Sequence, residues 1–318
     1  MNRTIISAIL ISSLALSACS GSKWWPSTGA KVDLTLSIVS SSPATKTAIE
    51  QADGHAYARW TAGDKLCVFM DSWKDGETPL YQMTNSSEST DKGIFEGVAK
   101  DVPDGSHLLF AFSTKQDYQA KAERKIIFNV PQDQTPGVNT FDPAADIVTN
   151  MGNEKKYNGH YIVINSDQSS ASISDMRFHR ILGTVMVGVS VNESSTKYQY
   201  LTGEKVKKIT LESKAQGIAL TGSILWDFDA ESTSTVSANP KVVATLSSPI
   251  KIGSEDKAYI LTAPVTLPNA STLVATIETE HYRIVKTVTL PQDIPFPANK
   301  ISSLSLSLKD ADTTVENL

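Results

Sequence analysis

From Val32 onward apolar and polar residues alternate. Val32-Asp33-Leu34-Thr35-Leu36-Ser37-Ile38 is the first such run, and residues 301–308, with Leu304, Leu306 and Leu308 between serines, are among the last. A period of two puts every second side chain on one face, which suits a half-buried strand and not a helix. Further strand candidates are residues 65–70, 93–98, 107–112, 125–130, 161–164, 184–191, 206–211 and 218–228. Residues 241–246, 258–261, 273–279 and 282–290 complete the set. Turn-forming stretches such as Asp75-Gly76, Pro103-Asp104-Gly105 and Pro268-Asn269 separate them. Many short strands with turns between them predict an all-β chain of sandwiches or barrels. Residues 115–125 are the best helix candidate, and they are short and polar.

The stretch 131–159 is poorest in strand pattern and carries Pro131, Pro136, Gly137, Pro143, Gly152 and Gly159. A loop of that length is unusual inside a compact domain. The end of a first domain is therefore expected there or shortly after, anywhere from 150 to 178. We divide the chain into a leader at 1–18, a tether at 19–30, an N-terminal β-domain at 31–170 and a C-terminal β-domain at 171–318.

The N-terminus carries an address. Arg3 precedes an apolar run from Ile5 to Leu16, and Leu16-Ser17-Ala18-Cys19 follows. The run has the length of a secretory leader and is too short to span a bilayer. The order predicts a bacterial lipoprotein signal, cut between Ala18 and Cys19, with the lipid on Cys19. Ser20 to Ala30 then reads as a tether with no core of its own. Trp24 and Trp25 within it would rest either at the membrane interface or on the domain surface.

Removal of the leader leaves about 300 residues, enough for two domains of about 150. The net charge of −5 is spread along the chain without a basic stripe, so nucleic acid is not an expected partner. There are two cysteines. With Cys19 lipidated, no internal disulfide forms, and Cys67, inside the apolar run Leu66-Cys67-Val68-Phe69, is expected to be a buried structural thiol.

Chemistry is sparse. The sequence lacks HExxH, G-x-S-x-G, a Walker loop and a CxxC pair. Ser194-Ser195-Thr196-Lys197 fits S-x-x-K without its companion motifs. No two of the histidines at 55, 107, 160, 179 and 281 are three or four apart, so no local metal pair is expected. Asp71, Asp75 and Gly76 lack the alternation and closing Glu of a calcium loop. Neither an enzyme nor a cofactor is predicted. Trp60, Trp73 and Trp226 offer a possible sugar platform.

Several segments, in order, carry a resemblance. They are Ala44-Thr45-Lys46-Thr47, Trp60-Thr61-Ala62-Gly63-Asp64 leading into residues 65–69, and Phe128-Asn129-Val130-Pro131-Gln132-Asp133-Gln134. Phe141-Asp142-Pro143-Ala144-Ala145-Asp146-Ile147, Phe178-His179-Arg180 and residues 206–211 follow. Together with the lipobox they resemble the fimbrillin-like (Mfa-like fimbrillin) lipoproteins of Gram-negative anaerobes. That resemblance implies two tandem transthyretin-like β-sandwich domains after a lipoprotein signal peptide. It also implies export to the outer membrane and cell surface, then cleavage by a trypsin-like, Lys/Arg-specific protease just beyond the first strand. The first strand would leave, and strand exchange with other fimbrial subunits would build a fimbrium.

On this sequence the expected cut lies between Lys46 and Thr47, in a polar loop a protease can reach; Arg59 is the other basic candidate. The departing strand would carry Leu34, Leu36 and Ile38, and an incoming strand would need the same alternation. Residues 301–308 read as the last strand of the second domain, and the mostly polar tail 309–318 is a poor donor. A shaft, tip, accessory or anchoring position is therefore left open. Ser20-Gly21-Ser22-Lys23 lacks the acidic cluster that often directs such lipoproteins outward. The expected function is a fimbrial subunit precursor; the alternative is a non-polymerising surface lipoprotein that binds glycans.

Overall fold

The computed structural model describes residues 29–40, 48–52, 55–70, 80–87, 92–121, 124–150 and 161–318. The lipobox with Ala18 and Cys19, the Trp24-Trp25 pair, the Lys46-Thr47 bond, the Asp71–Gly76 stretch and Trp73 lie outside the described residues.

The first half contains β1 (Lys31–Ser40), β2 (Ala48–Ala52), β3 (His55–Arg59), β4 (Lys65–Met70), β5 (Tyr81–Asn85), β6 (Ile94–Pro103) and β7 (Gly105–Thr114). It continues with β8 (Tyr118–Lys121), β9 (Lys125–Val130), β10 (Asp133–Gln134), β11 (Ile147–Asn150), β12 (Tyr161–Ile164), β13 (Ser170–Met176) and β14 (Phe178–Arg180). The second half holds β15 (Gly183–Val191), β16 (Lys205–Ser213), β17 (Thr221–Asp227), β18 (Ser232–Asn239), β19 (Lys241–Lys251) and β20 (Ala258–Thr262). It ends with β21 (Val265–Leu267), β22 (Thr272–Glu278), β23 (Tyr282–Thr289), β24 (Ile294–Phe296), β25 (Ile301–Leu308) and β26 (Thr313–Asn317). The chain is all-β, as its period-two pattern predicts. Among the described residues one short 3-10 turn, Gln199–Leu201, interrupts the strands.

The N-terminal sheet runs β13-β1-β6-β5-β4-β7-β11-β14, with β12 also on β7. Its strands come from residues 31 to 180, so β13 and β14 pair on the N-terminal side although they follow residue 170. In the C-terminal half, a sheet of order β10-β19-β16-β22-β23-β26 packs on the smaller sheet β20-β15-β25. Between them lies one core, where Val185, Val187, Leu304 and Leu306 meet Ile209, Leu211, Ala244 and Ile277. The alternation along β25 decides its inner face: Leu304, Leu306 and Leu308 are buried, and the serines lie between them.

The two halves interlock. β9 pairs with β17, and the hairpins β8–β9 and β17–β18 form one four-stranded sheet. That sheet covers the outer face of β4 and β7, where Phe69, Phe110 and Phe112 pack with Phe128, Trp226 and Phe228. This explains why residues 65–70 form an unbroken apolar run: Leu66, Val68 and Met70 face one core and Cys67 and Phe69 another. Cys67 is buried and free; burial raises its thiol pKa despite the Tyr118 hydroxyl 3.6 Å away. It is an inert packing residue.

Residues 115–125 are not a helix. They form β8 and the turn into β9, because Tyr118 and Ala120, two apart, pack on the aromatic core. Within 131–159, β10 joins the C-terminal sheet in parallel with β19. The Gln134 side chain then acts as one further strand residue: its Nε2 donates to the Leu261 carbonyl at 2.7 Å, and the Leu261 N–H donates back to Oε1 at 3.0 Å. The described part around β10 thus crosses from one half to the other as a bonded strap, with the Leu261 carbonyl and amide both satisfied by Gln134.

His179 lies at this junction, edge-on to Trp226 with ring centroids 5.5 Å apart. Its Nδ1 is buried without a hydrogen-bond partner, and burial lowers its pKa to about 4. The unfolded chain, with an ordinary histidine near 6.5, therefore binds the proton first. Stability is full above pH 6.5 and falls as pH drops toward 4, by at most about 3 kcal/mol from this group. Urea denaturation at pH 7 and pH 4.5 should show the loss, and His179→Leu should reduce the difference between the two pH values; an equal difference in the variant would rule His179 out as its source.

Candidate functional site

β1 lies inside its sheet, antiparallel to β6 on one side and parallel to β13 on the other. Its inward row, Val32, Leu34, Leu36 and Ile38, is buried to between 0% and 9% exposure, while Lys31, Asp33 and Thr35 face solvent. Leu34 sits opposite Ala99, Leu36 opposite Gly97 and Ile38 opposite Phe95. On the other side Ile38 faces Ile173. A Cβ on Gly97 would stand 2.6 Å from the Gln82 carbonyl oxygen and 3.1 Å from Met83 Cγ. Only glycine lets β6 approach β5 this closely at the point that seats Leu36.

The two ends of β1 are fastened by polar contacts. At its start the Asp104 N–H donates to the Ala30 carbonyl at 2.9 Å, and the Asp101 N–H donates to Asp33 Oδ1 at 2.9 Å. At its end the Ser40 N–H donates to the Gly93 carbonyl at 2.9 Å, and Trp60 Nε1 donates to Ser40 Oγ at 2.9 Å. Trp60 is 1% exposed and meets Phe95 and Phe178 edge to face. Sequence reading misses this Ser40–Trp60 bond, because nothing in either local segment signals a contact twenty residues away.

Burial of Val, Leu or Ile stabilises by roughly 1.5–3 kcal/mol per side chain. The four inward residues of β1 thus contribute on the order of 6–12 kcal/mol as an upper estimate. That is comparable to the whole stability of an ordinary domain, about 5–15 kcal/mol. A β-sheet lacking this strand would present a long apolar groove with two rows of unpaired backbone groups, between β6 and β13.

Three of the quoted segments meet at one end of this groove. The turn after β3 is tied by Thr61 N–H to Asp64 Oδ2 at 2.8 Å and by Asn85 Nδ2 to the Thr61 carbonyl at 2.8 Å, with Gly63 at φ +86°. Arg180 forms a buried bidentate pair with Asp146, at 2.6 and 3.0 Å, and lies 4.2 Å over the Phe141 ring. Phe178, two residues before Arg180, enters the core that β1 fills.

The sugar platform is not supported. Trp60 and Trp226 are 1% and 2% exposed, so neither lays an open ring face on the surface for a sugar to stack on. Both sit edge-on to other rings because the aromatic cores need their area. The S-x-x-K match is a turn: Ser194 donates to Asn192 Oδ1, Ser195 to Asp310 Oδ1, and Lys197 lies over the Tyr198 ring. Among the described residues no group of three or more His, Cys, Asp or Glu is arranged to hold a metal ion. The strand at 301–308 is not the last: β26 follows it and pairs with β23. Polar residues conceal this strand in the sequence. Lys286 Nζ meets Asp312 Oδ1 at 2.6 Å, and the Tyr198 hydroxyl donates to the Thr313 carbonyl at 2.6 Å.

No family model matches the chain, and no curated protein sequence matches it. Solved structures do. A "putative cell adhesion protein" from Bacteroides uniformis ATCC 8492 is 12% identical, with a TM-score of 0.51 over 90% of this chain and 96% of its own. Another "putative cell adhesion protein", from Bacteroides ovatus ATCC 8483, is 14% identical, with a TM-score of 0.52 over 91% and 96%. The chain has their fold. The tip fimbrial protein Mfa3 from Porphyromonas gingivalis is also among the neighbours, at 9% identity and a TM-score of 0.41 over 90% and 99%. At these identities the likeness is one of architecture, an all-β sandwich fold.

The packing of β1 can be measured directly. Leu36→Ala should cost about 2–5 kcal/mol, against less than about 0.5 kcal/mol for the exposed Thr35→Ala. Equal midpoints in urea for the two variants would mean that β1 does not seal the core.

Proposed function

We propose that the chain is a fimbrial subunit precursor delivered as an outer-membrane lipoprotein and assembled at the cell surface by protease-triggered strand exchange. The observation that carries this reading is the inward row Leu34, Leu36 and Ile38, seated inside a sheet at the start of the fold. A strand so placed is separable only if another of the same pattern replaces it. The fold shared with the two structures each named a "putative cell adhesion protein" supports the setting. In this reading Cys19 carries the lipid, the signal is cut after Ala18, and a Lys/Arg-specific protease cuts between Lys46 and Thr47. The lipid then departs with β1, and other fimbrial subunits are the partners.

The pairing of β26 bears on which position in a fimbrium would suit the chain. Its pairing with β23 and the Lys286–Asp312 contact hold the tail on the body. A tail held there is poorly placed to leave as a donor, so a tip, accessory or anchoring position suits this chain better than the shaft. The division at 31–170 and 171–318 is kept as a proposal with one adjustment: β13 and β14 run beyond residue 170 yet pair in the N-terminal sheet, so the groove-bearing unit would extend to about Arg180.

Treatment of the purified precursor with a Lys/Arg-specific protease should give one discrete product beginning at Thr47. Mixed with a subunit bearing an alternating apolar donor strand, that product should form ladders that resist mild heating in detergent. Lys46→Gln should abolish both product and ladder. A cleaved chain that keeps β1 bound and stays monomeric would overturn the reading.

A further inference from the structure

A cavity of about 370 Å3 opens beside the end of β1, between the turn after β3, the end of β7 and the segment leading into β11. Small-molecule pockets span roughly 300–1,000 Å3 and are mostly apolar with a few placed polar groups. Trp60, Pro143 and Val148 supply apolar wall.

The charged groups of the wall divide into two kinds. The carboxylates are engaged within the protein: Asp64 Oδ2 accepts the Thr61 N–H at 2.8 Å, and Asp146 is clamped by Arg180 at 2.6 and 3.0 Å. Both are buried. Lys65 and Lys115 also line the cavity and are exposed. Neither forms an ion pair among the described residues. The hydroxyls are engaged too, with Ser113 Oγ donating to the Lys65 carbonyl at 2.7 Å and Thr114 Oγ1 accepting the Gln116 N–H at 3.0 Å.

An apolar pocket with two uncommitted ammonium groups and no uncommitted acid favours an anion on an apolar body. A sugar fits poorly, since its many hydroxyls would find few partners and lose their water. We propose that this cavity binds a carboxylate carried on a compact apolar group, with Lys65 and Lys115 holding the charge. A free organic acid and the apolar C-terminal residue of a polypeptide share that chemistry. The proposal stands apart from strand exchange.

Isothermal titration of the full chain with phenylacetate, phenylacetamide and a tetrapeptide ending in leucine tests it. Phenylacetate should bind at least tenfold more tightly than the amide, a difference of about 1.4 kcal/mol. The Lys65→Gln/Lys115→Gln variant should lose at least tenfold in affinity with an unchanged melting temperature, since both side chains are exposed. A peptide that binds more tightly than phenylacetate assigns the site to a polypeptide terminus; a weaker one assigns it to free acids. Equal binding of acid and amide, undiminished binding by the double variant, or no heat from acid or peptide up to roughly 10 mM would overturn the proposal.

Discussion

The inward row of β1 decides what the N-terminal half can be. Four apolar side chains two residues apart enter a core built by β4, β5, β6, β12 and β13. The strand is neither an edge nor a cover. It hydrogen-bonds on both sides, so its backbone and its side chains are held by different partners. The Ser40–Trp60 bond ties the same strand to the ring that organises Phe95 and Phe178.

The other cores do not depend on β1 in this way. The sandwich around Val187, Ile209 and Leu306 belongs to the C-terminal strands. The aromatic core around Phe69, Phe112 and Trp226 is closed by the β8–β9 and β17–β18 hairpins. β20 is buried along its length and serves both, with Ala258 and Ile260 on one face and Tyr259 and Leu261 on the other. A change confined to the β1 groove therefore acts on one of the three cores formed by the described residues, and the Gln134 strap and the β9–β17 pairing hold the halves together around it.

Much of the β-pattern was legible because alternation reflects one-sided burial. β1, β4, β9, β12 and β25 lie where period and apolar content place them. What escaped had a physical reason. β8 looked helical because its charged residues hide an alternation of only two half-buried side chains, Tyr118 and Ala120. β18, Ser232–Asn239, is largely exposed, Val236 included, so it lacks the apolar alternation that one-sided burial gives. β10 is two residues long, and its partner lies more than a hundred residues away. The row Leu34, Leu36 and Ile38 could be read from sequence as one face. Its two neighbours could not, because β13 and β6 are brought there by the whole topology. Trp60 and Trp226 do not serve a sugar platform because tryptophan in a strand-rich chain fills a core as readily as it serves a ligand.

The covalent continuity of the chain also bears on how β1 could be replaced. While residues 41–47 join β1 to the rest, the strand is an intramolecular ligand of its own groove. Short tethers give effective concentrations in the millimolar range, and this advantage is independent of the quality of the contacts. An incoming strand with the same four apolar positions would meet the same groove with no such advantage. A cut between Lys46 and Thr47 would change none of the contacts of β1, yet it would put the resident and incoming strands on equal terms. Once free, the resident strand would be diluted away with whatever is attached to it, which in this reading is the Cys19 lipid. Anchorage and a filled groove would then end in the same step, because the one loop that keeps β1 in its groove would also be what joins the lipid to the body.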